Sequence, residues 1–325
     1  MAILEVKNLK KYFPVTGGVF LRRTGWVYAL DDVSFALNKG ETLGIVGESG
    51  CGKTTLARCL MGLYDPSDGQ VIIKNQVISS LNSQQRKELA LNLQMIFQDP
   101  FESLDPRQTV KQILEEKYII HGKNSGNLDS TINQLIKRVG LLPDMLSQFP
   151  HEFSGGQRQR IGIARAISLE PEIIVCDEPV SALDVSVQSK ILNLLLELQQ
   201  TMGLTYIFIS HDLSVVKHVS DRIAVMYLGK IVEMADADDI YTNGQHPYTH
   251  ALLSSIPVPD PKSGRNRIVL KGEVPSVENP PAGCNFNTRC EYVQTICLEK
   301  EPELLGNKDN PNHLTACHLF HPPIR

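Results

Sequence analysis

The sequence predicts an α/β protein with a mostly parallel sheet, an inserted helical segment and a small metal-stapled C-terminal extension. Strand patterns alternate with helical patterns in residues 42–63 and again in residues 173–210, an order typical of parallel sheets covered by helices. Residues 101–169, between these stretches, have a helical pattern throughout. Four cysteines follow a proline-rich stretch near the end of the sequence, and they indicate a metal site there.

Composition limits the classes of partner. The chain has 325 residues, a formal net charge of −4 and 42% hydrophobic residues, as expected for one large or two modest globular domains. No basic excess is present, so we expect no nucleic-acid partner. No apolar run approaches the roughly 18–20 residues that a membrane helix needs. The first residues lack a charged region and a long apolar region, so we expect a cytoplasmic protein that reaches a membrane only through a partner.

The pattern along the chain predicts three regions. Residues 1–100 and 170–245 form an α/β core, residues 101–169 a helical subdomain, and residues 246–325 an extension whose stretch from Pro257 to Pro281 is a proline-rich connector. Strands are predicted at residues 3–9, 27–46, 70–78, 93–97, 173–176, 205–210 and 221–234. Helices are predicted at residues 54–63, 110–120, 128–139, 156–169 and 187–201.

A phosphate-binding loop follows the buried strand Thr42–Val46 and precedes a helix. It fits the pattern G-x-x-x-x-G-K-[ST] with the residues Gly47, Glu48, Ser49, Gly50, Cys51, Gly52, Lys53, Thr54 and Thr55. The glycines let backbone N–H groups face phosphate, the lysine supplies a positive charge, and the Thr54 hydroxyl can bind Mg²⁺. The alternative is a chance glycine-rich loop, which the strand and helix on either side argue against.

Two carboxylates end another buried strand, Ile173–Cys176. Asp177 is expected to hold Mg²⁺ through water, and Glu178 to act as general base for the attacking water. The alternative is a solvated acidic turn.

A second loop, Phe153 to Gln157, also lies at a predicted helix start. Ser154 and the N–H groups of Gly155 and Gly156 can donate to a phosphate there. The two loops in this order resemble the ATP-binding cassette family. The resemblance implies a RecA-like P-loop NTPase core with an antiparallel β region, and an ATP bound between the first loop of one subunit and the second loop, including Gln157, of its partner. The family usually has leucine where this chain has Phe153, a position that packs rather than coordinates.

The same resemblance implies roles for further residues. Gln98 matches the glutamine that reaches Mg²⁺ and senses the membrane partner, and Asp184 lies in the loop that contacts the opposite subunit. His211 matches the histidine that touches the γ-phosphate, although a histidine after a strand is by itself more often structural. Phe13 is expected to stack on adenine, with Tyr12 as the second candidate and simple packing of both as the alternative.

The stretch after residue 245 resembles the extension of oligopeptide and dipeptide importer ATPases, on His246–Thr249, Leu252–Pro257 and Gly283-Cys284. This implies a subunit at the cytoplasmic face of the membrane that hydrolyses ATP to drive peptide import. Its partners would be a homologous ATPase subunit or a second copy, two transmembrane permease subunits and, indirectly, an external peptide-binding protein. Details near residues 56–58 and 257–261 favour the second of the two ATPases such importers carry. Nickel or sugar importers, a soluble cassette ATPase and an iron–sulfur redox protein are the alternatives.

The cysteine cluster has the spacing C-x5-C-x6-C-x19-C, at Cys284, Cys290, Cys297 and Cys317. Four thiolates suit a [4Fe–4S] cluster, and the family resemblance implies one. Zinc is the rival and a pair of disulfides a further alternative. His313 and His318 are taken as bystanders. We expect a structural role for the cluster, and the sequence gives no reason to expect a link between it and the nucleotide site.

Overall fold

The computed structural model describes residues 2–17, 22–99, 103–123, 127–256, 268–307 and 310–321. These residues form two compact units. The first contains Asn38–Glu41 and Ser80–Ile209, and the second contains Ala2–Leu37, Thr42–Ser79 and the described residues from Ser210 onward. Within these ranges, no helix has both the length and the apolar character needed to cross a membrane.

Strands and helices alternate through most of the chain. The strands are β1 Ala2–Gly17, β2 Arg22–Asn38, β3 Thr42–Val46, β4 Asp68–Ile73, β5 Gln76–Val77, β6 Leu93–Ile96, β7 Ile173–Asp177, β8 Thr205–Ser210, β9 Arg222–Tyr227, β10 Lys230–Asp236, β11 Leu305–Gly306 and β12 Leu314–Thr315. The helices are α1 Lys53–Leu60, α2 Ser83–Asn92, α3 Val110–Ile120, α4 Leu128–Arg138, α5 Gly155–Ile167, α6 Val185–Met202, α7 Leu213–Val219, α8 Ala237–Asn243, α9 Pro247–Ser254 and α10 Thr295–Glu299. Short 3₁₀ helices occupy Ile78–Ser80, Pro143–Ser147 and Pro150–Glu152.

The first unit contains a parallel sheet with β7 between β6 and β8. Every residue of β7 is buried, as expected for a parallel strand covered on both faces. Helix α5 packs against β6 and against α6. Asp177, the last residue of β7, and Glu178, which follows it, therefore lie at the carboxyl end of a strand that is held on both faces.

The second unit contains two sheets. In one, the strands lie in the order β2-β1-β4-β5, and β4 pairs antiparallel with β1 and β5. In the other, β3 pairs parallel with β9, and β10, β12 and β11 continue antiparallel. The β9–β10 hairpin turns at Leu228 and Gly229, which both have left-handed backbone angles (φ 43° and 77°), the conformation that tight hairpins favour.

The structure differs from the predicted elements at several places, including helix α10 and strands β11 and β12, which were not predicted. Residues 27–46 form two strands, because the chain turns after Asn38 and Gly40 adopts a φ of 79°. Helix α2 was not predicted, since none of its residues is buried and it therefore has no apolar stripe. Helices α8 and α9 were also missed.

The division into core, helical subdomain and extension stays a prediction. Helices α3, α4 and α5 lie within residues 101–169, and all three belong to the first unit. Of the predicted connector, residues 257–267 lie outside the described part of the chain. Its later part contacts β2, where the Tyr28 N–H donates to the Val277 carbonyl at 2.9 Å.

Candidate functional site

The phosphate-binding loop joins β3 to α1, and two of its glycines are required by their surroundings. A Cβ on Gly47 would lie 2.2 Å from the Met226 carbonyl oxygen, which no side chain tolerates. Gly52 has a φ of 107°, and a Cβ there would lie 2.3 Å from the Ala29 carbonyl oxygen. Only glycine fits these close backbone approaches, so both positions fix the path of the loop.

Lys53 lies under this loop and is only 5% exposed. Its Nζ donates to the carbonyl oxygens of Gly47 at 2.7 Å and Glu48 at 3.0 Å. Thr54 follows in the first turn of α1, at the helix end whose N–H groups and dipole favour an anion. A lysine, a hydroxyl and a helix N-terminus are thus assembled within one loop of the second unit.

The carboxylates predicted for catalysis lie in the first unit. Asp177 ends β7 and is 3% exposed. Glu178 follows it with a left-handed φ of 47°, and its N–H donates to the Ile209 carbonyl at 2.9 Å. The Gln98 Nε2 donates to the Glu178 Oε2 at 3.2 Å, so the structure brings these two side chains together.

The second loop is a capped helix start. Ser154 is the N-cap of α5: its N–H donates to the Gln157 Oε1 at 2.9 Å, and the Gln157 N–H donates back to the Ser154 Oγ at 3.4 Å. A Cβ on Gly156 would lie 2.5 Å from the Val187 Cγ1, so this glycine permits the close packing of α5 on α6. Phe153 is buried, as a packing position should be.

Asp184 and His211 are both exposed. Asp184 caps α6, where its carboxylate accepts from the Ser186 hydroxyl at 2.8 Å and the Val187 N–H at 3.0 Å. These hydrogen bonds hold the pKa of Asp184 below its usual value. His211 directly follows β8 and belongs to the second unit.

The two aromatic candidates for adenine stacking have different surroundings. The Phe13 ring is half-buried and meets Tyr64 edge-on, with ring centroids 5.4 Å apart. The Tyr12 hydroxyl donates to the Asp31 Oδ1 at 2.6 Å, and its ring packs against Tyr28. The adenine assignment stays a prediction for both.

Comparison with known proteins decides the family. Residues 30–181 match the family described as ABC transporter, and residues 232–297 match the oligopeptide/dipeptide transporter C-terminal region. The chain is 54% identical over 322 residues to the oligopeptide transport ATP-binding protein AppF of Bacillus subtilis (98% of this chain, 97% of the relative). This chain belongs to the ABC transporter ATPase family.

Two further comparisons agree with this assignment. The ATPase is 47% identical over 311 residues to the oligopeptide transport ATP-binding protein OppF of Escherichia coli, covering 94% of this chain and 93% of the relative. Its fold is similar to a dimeric post-hydrolysis structure of the ATP-binding cassette MJ0796 bound to ADP and Pi. That match has a TM-score of 0.64 and 29% identity, and it covers 72% of this chain and 98% of the other. The ABC ATPase fold, with its mixed α/β sheets, is thereby confirmed.

The four cysteines of the ABC ATPase extension line one small cavity. Burial raises the pKa of Cys284 to about 12 and that of Cys317 to about 11, and the neighbouring thiols act in the same direction. In the part of the chain that the structure describes, no group of three or more His, Cys, Asp or Glu side chains is arranged to hold a metal ion. The [4Fe–4S] and zinc assignments therefore gain no support from this geometry and stay predictions.

Both histidines named as bystanders have other partners. The His313 Nε2 lies 2.6 Å from the Glu233 Oε1, and the His318 Nε2 lies 2.9 Å from the Lys300 carbonyl oxygen.

Sequence reasoning missed two residues that contact the phosphate-binding loop. The Glu48 N–H donates to the Tyr248 hydroxyl at 2.8 Å. The Arg289 guanidinium donates to both Glu48 carboxylate oxygens, at 2.7 and 3.2 Å. Burial alone would lower the pKa of Arg289, but its hydrogen bonds and ion pair with the Glu48 carboxylate outweigh burial and raise it. The available signal was only that Tyr248 lies in the motif His246–Thr249 and that Arg289 precedes Cys290.

Proposed function

We propose that this chain is the ATP-hydrolysing subunit of a membrane importer for peptides. The observation that carries the proposal is its near full-length similarity to oligopeptide transport ATP-binding proteins, together with the match of residues 232–297 to the oligopeptide/dipeptide transporter C-terminal region.

Each residue of the site has a separate role in the proposed hydrolysis of ATP. Backbone N–H groups of the phosphate-binding loop and Lys53 hold the phosphates, while Thr54, Gln98 and Asp177 would supply oxygen ligands to Mg²⁺, directly or through water. Glu178 accepts the proton of the water that attacks the γ-phosphorus, and ADP leaves with the electrons of the broken P–O bond. His211 contacts the γ-phosphate.

Two subunits enclose each ATP. The second loop, Ser154 to Gln157, faces the γ-phosphate bound by the partner subunit, and its capped helix start supplies donors and a positive dipole. Asp184 contacts the opposite subunit, and its exposed position leaves it accessible for that contact. ATP then holds the dimer together, and hydrolysis releases it.

The remaining partners are two permease subunits and, through them, an external peptide-binding protein. The chain would then lie at the cytoplasmic face of the membrane. Affinity purification from detergent-solubilised membranes should recover two multi-span proteins with it. Recovery from the soluble fraction alone would contradict an importer and favour a soluble cassette ATPase. The transported compound should be identified by the binding protein recovered from the same importer.

Hydrolysis is tested by Glu178→Gln. The amide keeps the shape of the carboxylate but accepts no proton, so the variant should bind ATP, fail to hydrolyse it and accumulate as an ATP-bound dimer. Size-exclusion chromatography and phosphate release measure both effects. The matched variant Lys53→Ala should instead lose ATP affinity. Hydrolysis at the wild-type rate in Glu178→Gln would exclude the assignment of Glu178 as the base.

We also propose that Cys284, Cys290, Cys297 and Cys317 hold a [4Fe–4S] cluster. The support is chemical and comes from the sequence: the extension carries four cysteines, and thiolates are the ligands that such clusters use. The cluster would staple a segment with little helix or strand of its own, so its role is structural.

Anaerobic purification tests the cluster. The protein should be brown and contain about four iron atoms per chain with acid-labile sulfide, and a serine at any one of the four cysteines should abolish this. A colourless anaerobic sample with one zinc per chain would instead identify a zinc site on the same ligands. A sample with neither metal would exclude both.

A further inference from the structure

We infer that Arg289 is a positioning residue for ATP binding, through which the extension holds the phosphate-binding loop in shape. The inference rests on the ATPase activity of the family and adds a role for two residues of the extension, Arg289 and Tyr248. It does not depend on which metal, if any, the cysteines bind.

The contact between Arg289 and Glu48 is specific. Two guanidinium N–H groups donate to the two carboxylate oxygens, a forked geometry that fixes the orientation of both side chains. The Arg289 side chain is 7% exposed and that of Glu48 29% exposed, so water screens this pair less than a surface pair. A lysine could not reproduce the fork.

Glu48 is held at its main chain as well. Its N–H donates to the Tyr248 hydroxyl at 2.8 Å, and Tyr248 is completely buried. The Tyr248 ring packs on Tyr227 and Phe286, with centroids 4.8 and 5.5 Å away. Residues of α9 and the extension therefore fix both the backbone and the side chain of the second residue in the phosphate-binding loop.

The turn that carries Arg289 is itself ordered by hydrogen bonds. The Arg289 N–H donates to the Phe286 carbonyl at 3.1 Å, and the Cys284 N–H to the Cys297 carbonyl at 2.8 Å. Gly283 has a φ of 70°, and a Cβ on it would lie 2.4 Å from that same Cys297 carbonyl oxygen. The backbone that carries the Arg289 side chain is thus held in place by hydrogen bonds.

Fixing Glu48 also fixes the lysine that binds phosphate. The Glu48 carbonyl accepts from the Lys53 Nζ at 3.0 Å, and the Cys51 N–H donates to the same carbonyl at 3.3 Å. Displacing Glu48 would move the acceptor that orients Lys53 and widen the loop. The guanidinium of Arg289 donates to Glu48, so the effect of Arg289 on ATP is inferred to pass through Glu48.

The test compares full-length Arg289→Met with a charge-matched control. Removing a charged hydrogen-bonded pair should weaken ATP binding by about tenfold, and Arg289→Lys should weaken it by about threefold. The control is Lys271→Met, which removes one positive charge from the same extension in an exposed pair with Glu291 (3.7 Å) and should bind ATP like the wild type. A fluorescent ATP analogue reports the dissociation constant.

Two further measurements separate positioning from a loss of folding. In Arg289→Met the KM for ATP should rise while kcat at saturating ATP stays within about twofold, whereas partial unfolding lowers kcat at constant KM. Glu48→Ala breaks the same contact from the loop side. The double variant, Glu48→Ala with Arg289→Met, should therefore bind ATP no more weakly than the weaker of the two single variants. Wild-type ATP affinity in Arg289→Met, or single effects that multiply in the double variant, would overturn the inference.

Discussion

Glu178 has a backbone conformation that costs free energy. A φ of 47° is uncommon for any residue other than glycine, because Cβ then crowds the backbone, and the cost is about 1–2 kcal/mol. Two hydrogen bonds hold it there, from the Glu178 N–H to the Ile209 carbonyl and from the Ser181 hydroxyl to the Glu178 carbonyl (2.9 and 3.1 Å). The backbone of the proposed base is therefore strained, and its side chain accepts a hydrogen bond from Gln98.

This strain predicts an order of stabilities among inactive variants. Glu178→Gly should be more stable than Glu178→Ala by about 1 kcal/mol, because only glycine adopts the left-handed angle without a clash. Both variants should lack hydrolysis, so activity does not confound the comparison. Denaturant unfolding measures the difference in the free energy of unfolding. Equal stabilities would mean that the backbone angle at Glu178 stores no strain.

The two glycines after Ser154 tolerate substitution differently. At Gly156 a carboxylate would disturb the packing of α5 on Val187, so Gly156→Asp would not separate a charge effect from a folding defect. At Gly155 a Cβ meets only the flexible Leu183 Cδ2, at 3.3 Å. Gly155 is therefore the position at which to test whether this loop faces a partner's phosphate.

Gly155→Asp should prevent the ATP-dependent dimer. The new carboxylate favours the helix N-terminus but repels a γ-phosphate placed there, so folding is kept and closure is lost. In a Glu178→Gln background, size-exclusion chromatography with ATP should show monomer for Gly155→Asp and dimer for the neutral control Gly155→Ser. ATP affinity of the monomer should stay within about twofold of the parent. Collapse of that affinity would contradict a loop that acts on the partner's nucleotide.

At the scale of single residues, site residues that are close together in the sequence could be predicted, whereas contacts between residues far apart in the sequence could not. Residues 47–55 carry their glycines, lysine and hydroxyl within one loop, so the pattern alone predicted them. The tie between Glu48 and Arg289 joins residues 241 positions apart, and no spacing rule relates them. Phe13 stayed ambiguous because a half-buried aromatic residue can stack on a base or simply pack.

At the scale of elements, burial decided what could be predicted. Every residue of β7 and β8 is buried, and both strands were predicted. Helix α2 buries none of its residues and was missed, although Asn82 and Gln85 form a reciprocal capping box that marks its start. Capping signals would have been more useful there than hydrophobic periodicity.

Strand β10 carries a fully buried carboxylate, Glu233. It accepts from the N–H groups of Gln245 and His246 at 2.6 and 2.9 Å and pairs with His313. Burial alone would raise the pKa of Glu233, but these hydrogen bonds outweigh burial and lower it. Burial also lowers the pKa of His246 to about 4, although the Glu233 charge acts in the opposite direction.

Acid should therefore destabilise the region around β10 and α9. His246 binds its proton less readily when folded than when unfolded, so its contribution is complete above about pH 6.5 and is lost as the pH falls towards 4, by roughly 3 kcal/mol. Glu233 adds a loss in the same direction at lower pH. The melting temperature measured by circular dichroism should fall between pH 7 and pH 4.5.

His246→Asn is the matched variant for this effect. Asparagine can replace the ring nitrogen that accepts from the Tyr248 N–H at 3.0 Å at the start of α9, but it does not titrate. The variant should lose part of the pH dependence above pH 4.5. An unchanged slope would place the acid sensitivity elsewhere.

At the scale of the whole molecule, the second unit is built from three separated segments of the chain. Residues 42–79 supply the phosphate-binding loop, and residues after 210 supply Tyr248 and Arg289, which hold it. The sequence predicted an extension independent of the ATP site because their motifs are far apart. Tyr248 and Arg289 nevertheless contact Glu48 of this loop, and these contacts support the proposal that the extension and ATP binding are coupled.

Substitution within the cysteine cluster should consequently weaken ATP binding. Cys290→Ser alters the residue next to Arg289, so ATP affinity should fall in the same direction as in Arg289→Met, by about threefold or more. Lys271→Met again serves as control. Hydrogen exchange of the amides in residues 47–55 should rise in Cys290→Ser and not in the control. Unchanged exchange and affinity would show that Arg289 keeps its place without the neighbouring thiol.

The separation of Glu48 from Arg289 in the sequence also determines when their contact can form during translation. A ribosome adds about 5–20 residues per second, so roughly 10–50 s pass between the emergence of the loop and that of the arginine that holds it. During this interval the nascent chain exposes a complete phosphate-binding motif that lacks its anchor. The inferred role of Arg289 then implies that full ATP affinity is acquired only after residue 289 has left the ribosome.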